Sequence, residues 1–350
     1  MEGSSSGAAG QAGGTDLDIR VEHALGLFVL APGNEGSRLG AARRAAILEA
    51  LERQGRDPLV YCGLVRSAVA GAFLDDGDPR PKAEQEAGGE RLPEVRAALG
   101  DIWRMDRHVK PVAALIDGPL GGTAAGFVQA MVHKVACEHY RLMPFGRGAS
   151  FLDTLGLAHP LARAGVGMGR LLALTGRPVG RADAVGLGLA TMAIDAGETA
   201  TIEAALADAD PIDPVLDARA RPVGEGPLTR LTGMIEETLG APSVGEGIAR
   251  LRAVGGPLAG EAAAIAGEIE ARGVIERSLV WRLVGEAASG DLRSALRLEY
   301  RVQAWCAAHG GRQAARTAEA ERIAAEVLGS PAEGGELDLP DLNVAPAAIG

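Results

Sequence analysis

An apolar run followed by a turn of very small residues constrains the fold of this chain more than any other feature. Residues 112–116 are all apolar (VAALI), and residues 121–126 are GGTAAG. The run predicts a buried strand, and the turn predicts a tight entry into a helix. The first backbone N–H groups of such a helix have no acceptor within it and can hold an anion. We therefore predict a strand–helix unit that carries a candidate anion-binding turn.

Apolar patterns along the first 210 residues predict alternating strands and helices. The predicted strands are at 19–30 (a hairpin), 59–65, 112–116 and 135–142, and the predicted helices are at 39–53, 92–105, 165–174 and 177–187, with a further helix after the small-residue turn. This alternation is typical of an α/β core in which helices cover a sheet.

The pattern changes after Asp210, where four prolines mark a linker and helical spacing then dominates. We expect four parts. Residues 1–16, rich in Gly, Ala and Ser, are expected to be disordered, 17–210 to form the core, 211–329 a helical region, and 330–350 a flexible acidic tail.

The charge balance and the cysteine content exclude several classes of function. Thirty-five basic against 46 acidic residues give a net charge of −11, which disfavours a nucleic-acid-binding surface. The three cysteines, Cys62, Cys137 and Cys306, form no disulfide or zinc pattern. No apolar run is long enough for a membrane span, and no secretory signal is evident. We therefore expect a cytoplasmic protein that does not bind membranes.

The order of these segments resembles the crotonase (enoyl-CoA hydratase/isomerase) superfamily and, within it, the 3-hydroxyisobutyryl-CoA hydrolases. The resemblance is carried by residues 110–194 and by residues 296–301 (LRLEYR), with His309 and Arg316 following at similar spacing. It implies a crotonase-like α/β core with a helical C-terminal region. It also implies an acyl-CoA ligand, no cofactor other than the CoA of the substrate, and self-association into a homo-oligomer.

In the family that this chain resembles, two backbone N–H groups hold the thioester oxygen as it becomes negative. The first donor position corresponds to Asp75, within residues 73–78 (FLDDGD), and the second corresponds to Thr123. The carboxylate of Asp75 would oppose an oxyanion if it pointed inward. The glycines predicted to line the substrate are Gly77, Gly121 and Gly122.

The family's acid/base residues correspond to two further positions. Residues 143–145 (MPF) match a family M-P-E motif, so that Phe145 stands where the family has a glutamate. Residues 151–153 (FLD) match F-P-D, which makes Asp153 the candidate catalytic carboxylate, with Phe145 and Phe151 lining the substrate. Burial beside these rings would raise the pKa of Asp153 and favour a general base. Alternatively, Asp153 only caps the helix that would follow it.

The resemblance implies thioester hydrolysis of a short 3-hydroxyacyl-CoA, as in the 3-hydroxyisobutyryl-CoA step of valine breakdown. One alternative is a catalytically inactive relative that binds acyl-CoA or a partner subunit, since Phe145 replaces the glutamate. A second alternative is enoyl-CoA hydration or isomerisation. No metal is expected, because His133, Cys137 and His139 lack an evident fourth ligand.

Overall fold

The computed structural model describes residues 17–31, 39–75, 91–146, 149–309, 317–332 and 335–340. Over these residues the strands are β1 (Leu17–Glu22), β2 (Leu25–Leu30), β3 (Cys62–Ser67), β4 (Val112–Ile116), β5 (Pro119–Gly121), β6 (His133–Ala136), β7 (Arg141–Met143), β8 (Val179–Gly180) and β9 (Met192–Ala193). The helices of the first part are α1 (Ala41–Arg56), α2 (Arg91–Asp106), α3 (Gly122–Gln129), α4 (Ala158–Arg163), α5 (Val166–Thr175), α6 (Arg181–Gly186), α7 (Thr199–Ala207) and α8 (Ile212–Asp217). The later helices are α9 (Thr232–Leu239), α10 (Val244–Ala253), α11 (Ala259–Glu270), α12 (Val274–Ala287), α13 (Leu292–His309) and α14 (Thr317–Gly329). Residues 1–16 and Gly77, on which two of the expectations fall, lie outside the described residues.

The main sheet has six strands in the order β1-β2-β3-β4-β6-β9. The β1–β2 hairpin is antiparallel and turns at residues 23–24, and the other pairs are parallel. Parallel strands need helices on both faces of the sheet, and β2 is correspondingly buried along its whole length. The predicted α/β architecture with a helical C-terminal region is confirmed.

The two faces of the sheet pack into two separate hydrophobic clusters. Along β2, Phe28 and Leu30 enter the larger cluster, whereas Leu27 and Val29 enter the smaller one. This alternation follows from the two-residue period of a strand. The smaller cluster is completed by residues from α7 and α8, two helices that the prediction did not include.

A second, three-stranded sheet forms beside the main one, in the order β5-β7-β8. The prediction of a single strand at 135–142 was wrong, because a turn at residues 137–140 divides it into β6 and β7, which belong to different sheets. In the second sheet, β5 pairs in parallel with β7, which places Gly121 opposite Met143. This small sheet therefore sets the position at which α3 begins.

The C-terminal helices pack directly on the core helices. Glu236 of α9 accepts the N–H groups of Gly167 (3.0 Å) and Met168 (2.9 Å) and thereby caps the start of α5. The predicted loose tail differs from the structure at residues 335–340, where Leu337 and Leu339 are buried. The indole N–H of Trp103 donates to the carbonyl oxygen of Pro340 (2.9 Å), which fixes this segment against α2.

Two further features of the described residues concern membranes and metal ions. Within this part of the chain, no helix is both long and apolar enough to cross a membrane. The same residues contain no group of three His, Cys, Asp or Glu side chains arranged around a metal ion. His133 instead lies 3.4 Å from Asp213, and His139 lies 3.0 Å from Asp117.

Candidate active site

The start of α3 presents backbone donors at the end of β5. Gly121 is extended (φ −149°, ψ 167°), and Gly122 has a φ of +60°, a conformation that glycine adopts without strain. No side chain caps this helix start. The first N–H groups of a helix have no acceptor in the helix itself. Thr123 is partly exposed, whereas its neighbours Gly122 and Ala124 are buried.

Asp75 is held beside this helix start by a parallel bridge to Gly121. The N–H of Gly121 donates to the carbonyl oxygen of Leu74 (3.0 Å). The two predicted donor residues, Asp75 and Thr123, are 48 positions apart in the sequence, yet the bridge brings both to the same end of β5. The two predicted donor residues therefore lie near each other in the structure.

The side chain of Asp75 also lies at this place. Its Oδ1 is 2.9 Å from the position that a Cβ on Gly121 would occupy, so only glycine fits here without a shift. The carboxylate is consequently close to any group that binds across β5 and α3. A negative charge at this point disfavours an oxyanion, as the sequence indicated.

Phe145 and Phe151, predicted to line the substrate, are both core residues, at 5% and 3% exposure. The guanidinium carbon of Arg272 lies 4.6 Å from the centre of the Phe145 ring. On another side, a Cβ on Gly176 would lie 2.6 Å from this ring. Phe145 thus joins the end of α5 to the C-terminal helices, and the substrate-lining role of both rings stays a prediction.

Asp153 ends a short 3₁₀ helix and takes part in a capping box. Its Oδ2 accepts the N–H of Ser150 (2.9 Å), and the Ser150 hydroxyl oxygen accepts the N–H of Leu152 (3.1 Å). The same hydroxyl donates to Glu276 of α12 (2.6 Å). Asp153 therefore caps the short helix that contains it and not a following helix, as the alternative had it, and a catalytic role would have to be compatible with this interaction.

Gly126 packs α3 tightly against the loop before α4. A Cβ on Gly126 would lie 1.9 Å from the carbonyl oxygen of Leu155, so no larger residue fits without moving the loop. Gly126 lies three residues after Thr123 on the same face of the helix. The position of the loop therefore determines how α3 and its donor are held.

Glu299 of α13 fixes this loop from the other side, and the sequence had assigned it no role of its own. It is 4% exposed, and its carboxylate accepts the N–H groups of Gly156 and Ala158 (2.8 Å for Ala158). Burial raises the pKa of Glu299 to about 7, although the two N–H groups act in the opposite direction. The sequence around Glu299 holds no local signal of this role, because its burial depends on how α13 packs.

A cavity of about 320 Å³ lies beside the same contact and is lined in part by Gly126, Gly156 and His159. Burial lowers the pKa of His159, which favours the neutral imidazole. None of Asp75, Thr123 and Asp153 lines this cavity, and its wall also carries the charged residues Asp106, Lys134 and Arg163.

Comparison with known sequences identifies one matching family. The sequence model of the family described as Enoyl-CoA hydratase/isomerase matches residues 39–318, which is most of the chain. None of the curated proteins searched matches the chain significantly.

Solved structures show the same fold at low sequence identity. One is a carnitinyl-CoA dehydratase from Mycobacterium thermoresistibile, 24% identical, with a TM-score of 0.77 over 93% of this chain and 99% of that one. Another is an enoyl-CoA hydratase from Rhodobacter sphaeroides, 23% identical, with a TM-score of 0.74 over 93% of this chain and 100% of that one. The crotonase-like fold expected from the sequence is confirmed.

Proposed function

Since the chain belongs to the enoyl-CoA hydratase/isomerase family, we propose that it processes an acyl-CoA thioester bound at the start of α3. The observation that carries this proposal is the bridge between Asp75 and Gly121, which brings the two donor positions together. The thioester oxygen would accept the N–H groups of Asp75 and Thr123. Such donors stabilise the charge that the oxygen acquires in the transition state, and this is usually the largest single contribution to catalysis.

The proposed substrate is a short 3-hydroxyacyl-CoA, and this choice rests on the resemblance of residues 110–194 and 296–301 to the 3-hydroxyisobutyryl-CoA hydrolases.

We propose thioester hydrolysis as the reaction. Water adds to the carbonyl carbon, the oxyanion rests on the two N–H groups, and the C–S bond then breaks to release the CoA thiol and a carboxylic acid. One general base is sufficient for the attack of water, whereas hydration of a double bond needs both an acid and a base. Phe145 stands at one of the two family carboxylate positions, so the single carboxylate Asp153 fits hydrolysis better.

Substitution of Asp153 tests this assignment. We expect Asp153→Asn to lower kcat for thiol release from 3-hydroxyisobutyryl-CoA by about 10²-fold or more, because the amide cannot accept a proton from water. Ser150→Ala is the matched control, since it breaks the same capping box without removing the carboxylate. Equal losses in the two variants would reduce Asp153 to a capping residue.

Replacement of Asp75 tests the electrostatics of the donor pair. Asp75→Asn keeps the backbone N–H and removes a charge that opposes an oxyanion by about 1 kcal/mol or more. We therefore expect kcat for the same reaction to rise about fivefold. Asp75→Glu, which keeps the charge, should not show this gain. A lower rate in the Asn variant would mean that the carboxylate itself assists the reaction.

Two packing observations favour a second candidate, binding of acyl-CoA without turnover. Phe145 is buried beneath Arg272, and one Asp153 oxygen is engaged in the capping box. Calorimetric binding of a non-hydrolysable acyl-CoA thioether, together with the absence of thiol release and of hydration across short acyl-CoA and enoyl-CoA esters, would establish this candidate. Hydration of crotonyl-CoA in the same panel would instead establish the hydratase alternative.

A further inference from the structure

The segment that leads from β3 to Asp75 has an irregular backbone. It comprises residues 68–75, called the donor loop below, and it carries the first proposed donor at its end. An irregular segment lacks the repeating hydrogen bonds of a strand or a helix, so its backbone groups need other partners. The contacts that hold the donor loop therefore determine where the N–H of Asp75 lies.

The connection between β4 and β5, residues 117–118, packs directly against the donor loop. A Cβ on Gly118 would be 2.5 Å from the carbonyl carbon of Ala72 and 2.7 Å from the nitrogen of Phe73, so the two backbones are in contact. Phe73 and Leu74 are buried in the core. Only glycine at position 118 allows so close an approach, which leaves the loop little room to shift.

Asp117 fastens the donor loop to this connection. Its side chain is 15% exposed, and its Oδ2 accepts the N–H of Gly71 (3.2 Å). Gly71 has a φ of +72°, a conformation that glycine adopts without strain, so the loop turns at the residue that Asp117 holds. The hydrogen bond thus fixes the loop four residues before Asp75.

The other oxygen of Asp117 contacts the turn between β6 and β7. This Oδ1 accepts the backbone N–H of His139 (3.1 Å) and lies 3.0 Å from the ring Nδ1 of the same residue. Burial raises the pKa of the Asp117 carboxyl, but hydrogen bonds from the N–H groups of His139 and Gly71 and from the ring outweigh burial, and the pKa is lowered. The carboxyl is therefore ionised at neutral pH, and its hydrogen bonds are charge-assisted.

Asp117 also begins the segment that carries the second proposed donor. Residues 117–121 run through β5, and Thr123 follows in the first turn of α3. One carboxylate therefore joins the loop of the first donor to the segment of the second. Donors aimed at a developing charge lose much of their effect when they are displaced by about 1 Å, so this connection bears on the geometry of the pair.

We propose that Asp117 is a positioning residue, which holds the donor loop so that the N–H groups of Asp75 and Thr123 converge on one oxygen atom. Asp117 contacts no substrate in this role and acts through Gly71 and the loop that follows. The inference rests on the proposed acyl-CoA function, since it concerns the two donors of that reaction.

Asp117→Asn tests this role. The amide oxygen can accept from His139 or from Gly71 but not from both sides, and the amide nitrogen cannot accept at all. We expect kcat for thiol release from 3-hydroxyisobutyryl-CoA to fall about tenfold and KM to change less than about twofold, because a displaced donor weakens binding of the transition state more than that of the substrate. Amide hydrogen exchange in residues 71–75 should also become about fivefold faster or more.

Glu138→Gln is the matched control. Glu138 is exposed and accepts the backbone N–H of Ala196 (2.8 Å), which lies outside the donor loop. Like Asp117→Asn, this substitution neutralises a carboxylate that accepts a backbone N–H, and both kcat and exchange in the donor loop should stay as in the unchanged chain. Asparagine has the shape of aspartate and the site is partly exposed, so both variants should fold, which circular dichroism checks.

The proposal is overturned if Asp117→Asn keeps the kcat of the unchanged chain, even with faster exchange in the loop, or if Glu138→Gln loses as much activity. If the unchanged chain binds acyl-CoA without releasing thiol, the carbonyl stretching frequency of the bound acyl-CoA replaces kcat as the readout. A higher frequency in Asp117→Asn then supports the role, and an equal frequency overturns it. If acyl-CoA does not bind to the unchanged chain, the proposed function itself fails, and this role fails with it.

Discussion

Thr123→Pro is expected to lower kcat for thiol release by about 10²-fold to 10³-fold, the usual effect of losing one oxyanion donor. Proline has no backbone N–H, and Thr123 lies in the first turn of α3, where a missing N–H breaks no helical hydrogen bond. The substitution therefore removes the proposed donor with little loss of helix stability. Since the donor acts mainly in the transition state, kcat should fall more than the affinity for acyl-CoA.

Thr123→Ala is the matched control, because it removes the side chain and keeps the N–H. Its rate should stay within a few-fold of the unchanged chain, and circular dichroism with thermal unfolding should show that both variants are folded. A readout that does not need turnover is the carbonyl stretching frequency of a bound acyl-CoA, which a donor lowers. Equal rates and equal frequencies in the two variants would exclude Thr123 as the donor.

The sequence predicted the elements that carry a strong hydrophobic pattern. The strand Val112–Ile116 was predicted with its observed bounds, because five consecutive apolar residues can be accommodated only in a buried position. The strands β5, β8 and β9 have two or three residues each, which is too short for any periodicity to appear. They form because neighbouring strands supply partners, and this information is not local.

In the candidate site as well, local patterns predicted some features and contacts between distant segments determined the others. The position of Thr123 followed from the resemblance of its turn to the family's glycine turn, whereas its proximity to Asp75 depends on a bridge between distant segments. The role of Glu299 could not be predicted, since its partner Gly156 is 143 positions away in the sequence. A glutamate in the middle of a helix is usually exposed, so only the packing of α13 shows that this one is buried.

Replacement of Glu299 is expected to have the largest effect on stability. Glu299→Ala would leave the N–H groups of Gly156 and Ala158 buried without an acceptor, at about 1–3 kcal/mol each, and we expect a loss of about 3 kcal/mol or more in the free energy of unfolding. Glu236→Ala is the comparison, because Glu236 also accepts two backbone N–H groups but is only partly buried. Water can replace a cap at such a site, and the loss there should be about 1 kcal/mol. Equal losses in urea denaturation would mean that the burial of Glu299 is unimportant.

The stability contributed by Glu299 should also depend on pH. Its pKa is raised from 4.5 to about 7 in the folded chain, so between these values the folded state holds a proton that the unfolded state has released. The free energy of unfolding should therefore fall as the pH rises from 4.5 to 7, by about 3 kcal/mol in total, and should level off above that range.

In Glu299→Gln this group cannot titrate, and the difference between the unchanged chain and this variant isolates the effect from other carboxyl groups. A difference that is constant from pH 4.5 to 7.5 would show that Glu299 is ionised throughout, held by the N–H groups of Gly156 and Ala158. In that case the two hydrogen bonds, rather than burial, would determine the protonation state of Glu299 beside the loop that supports α3.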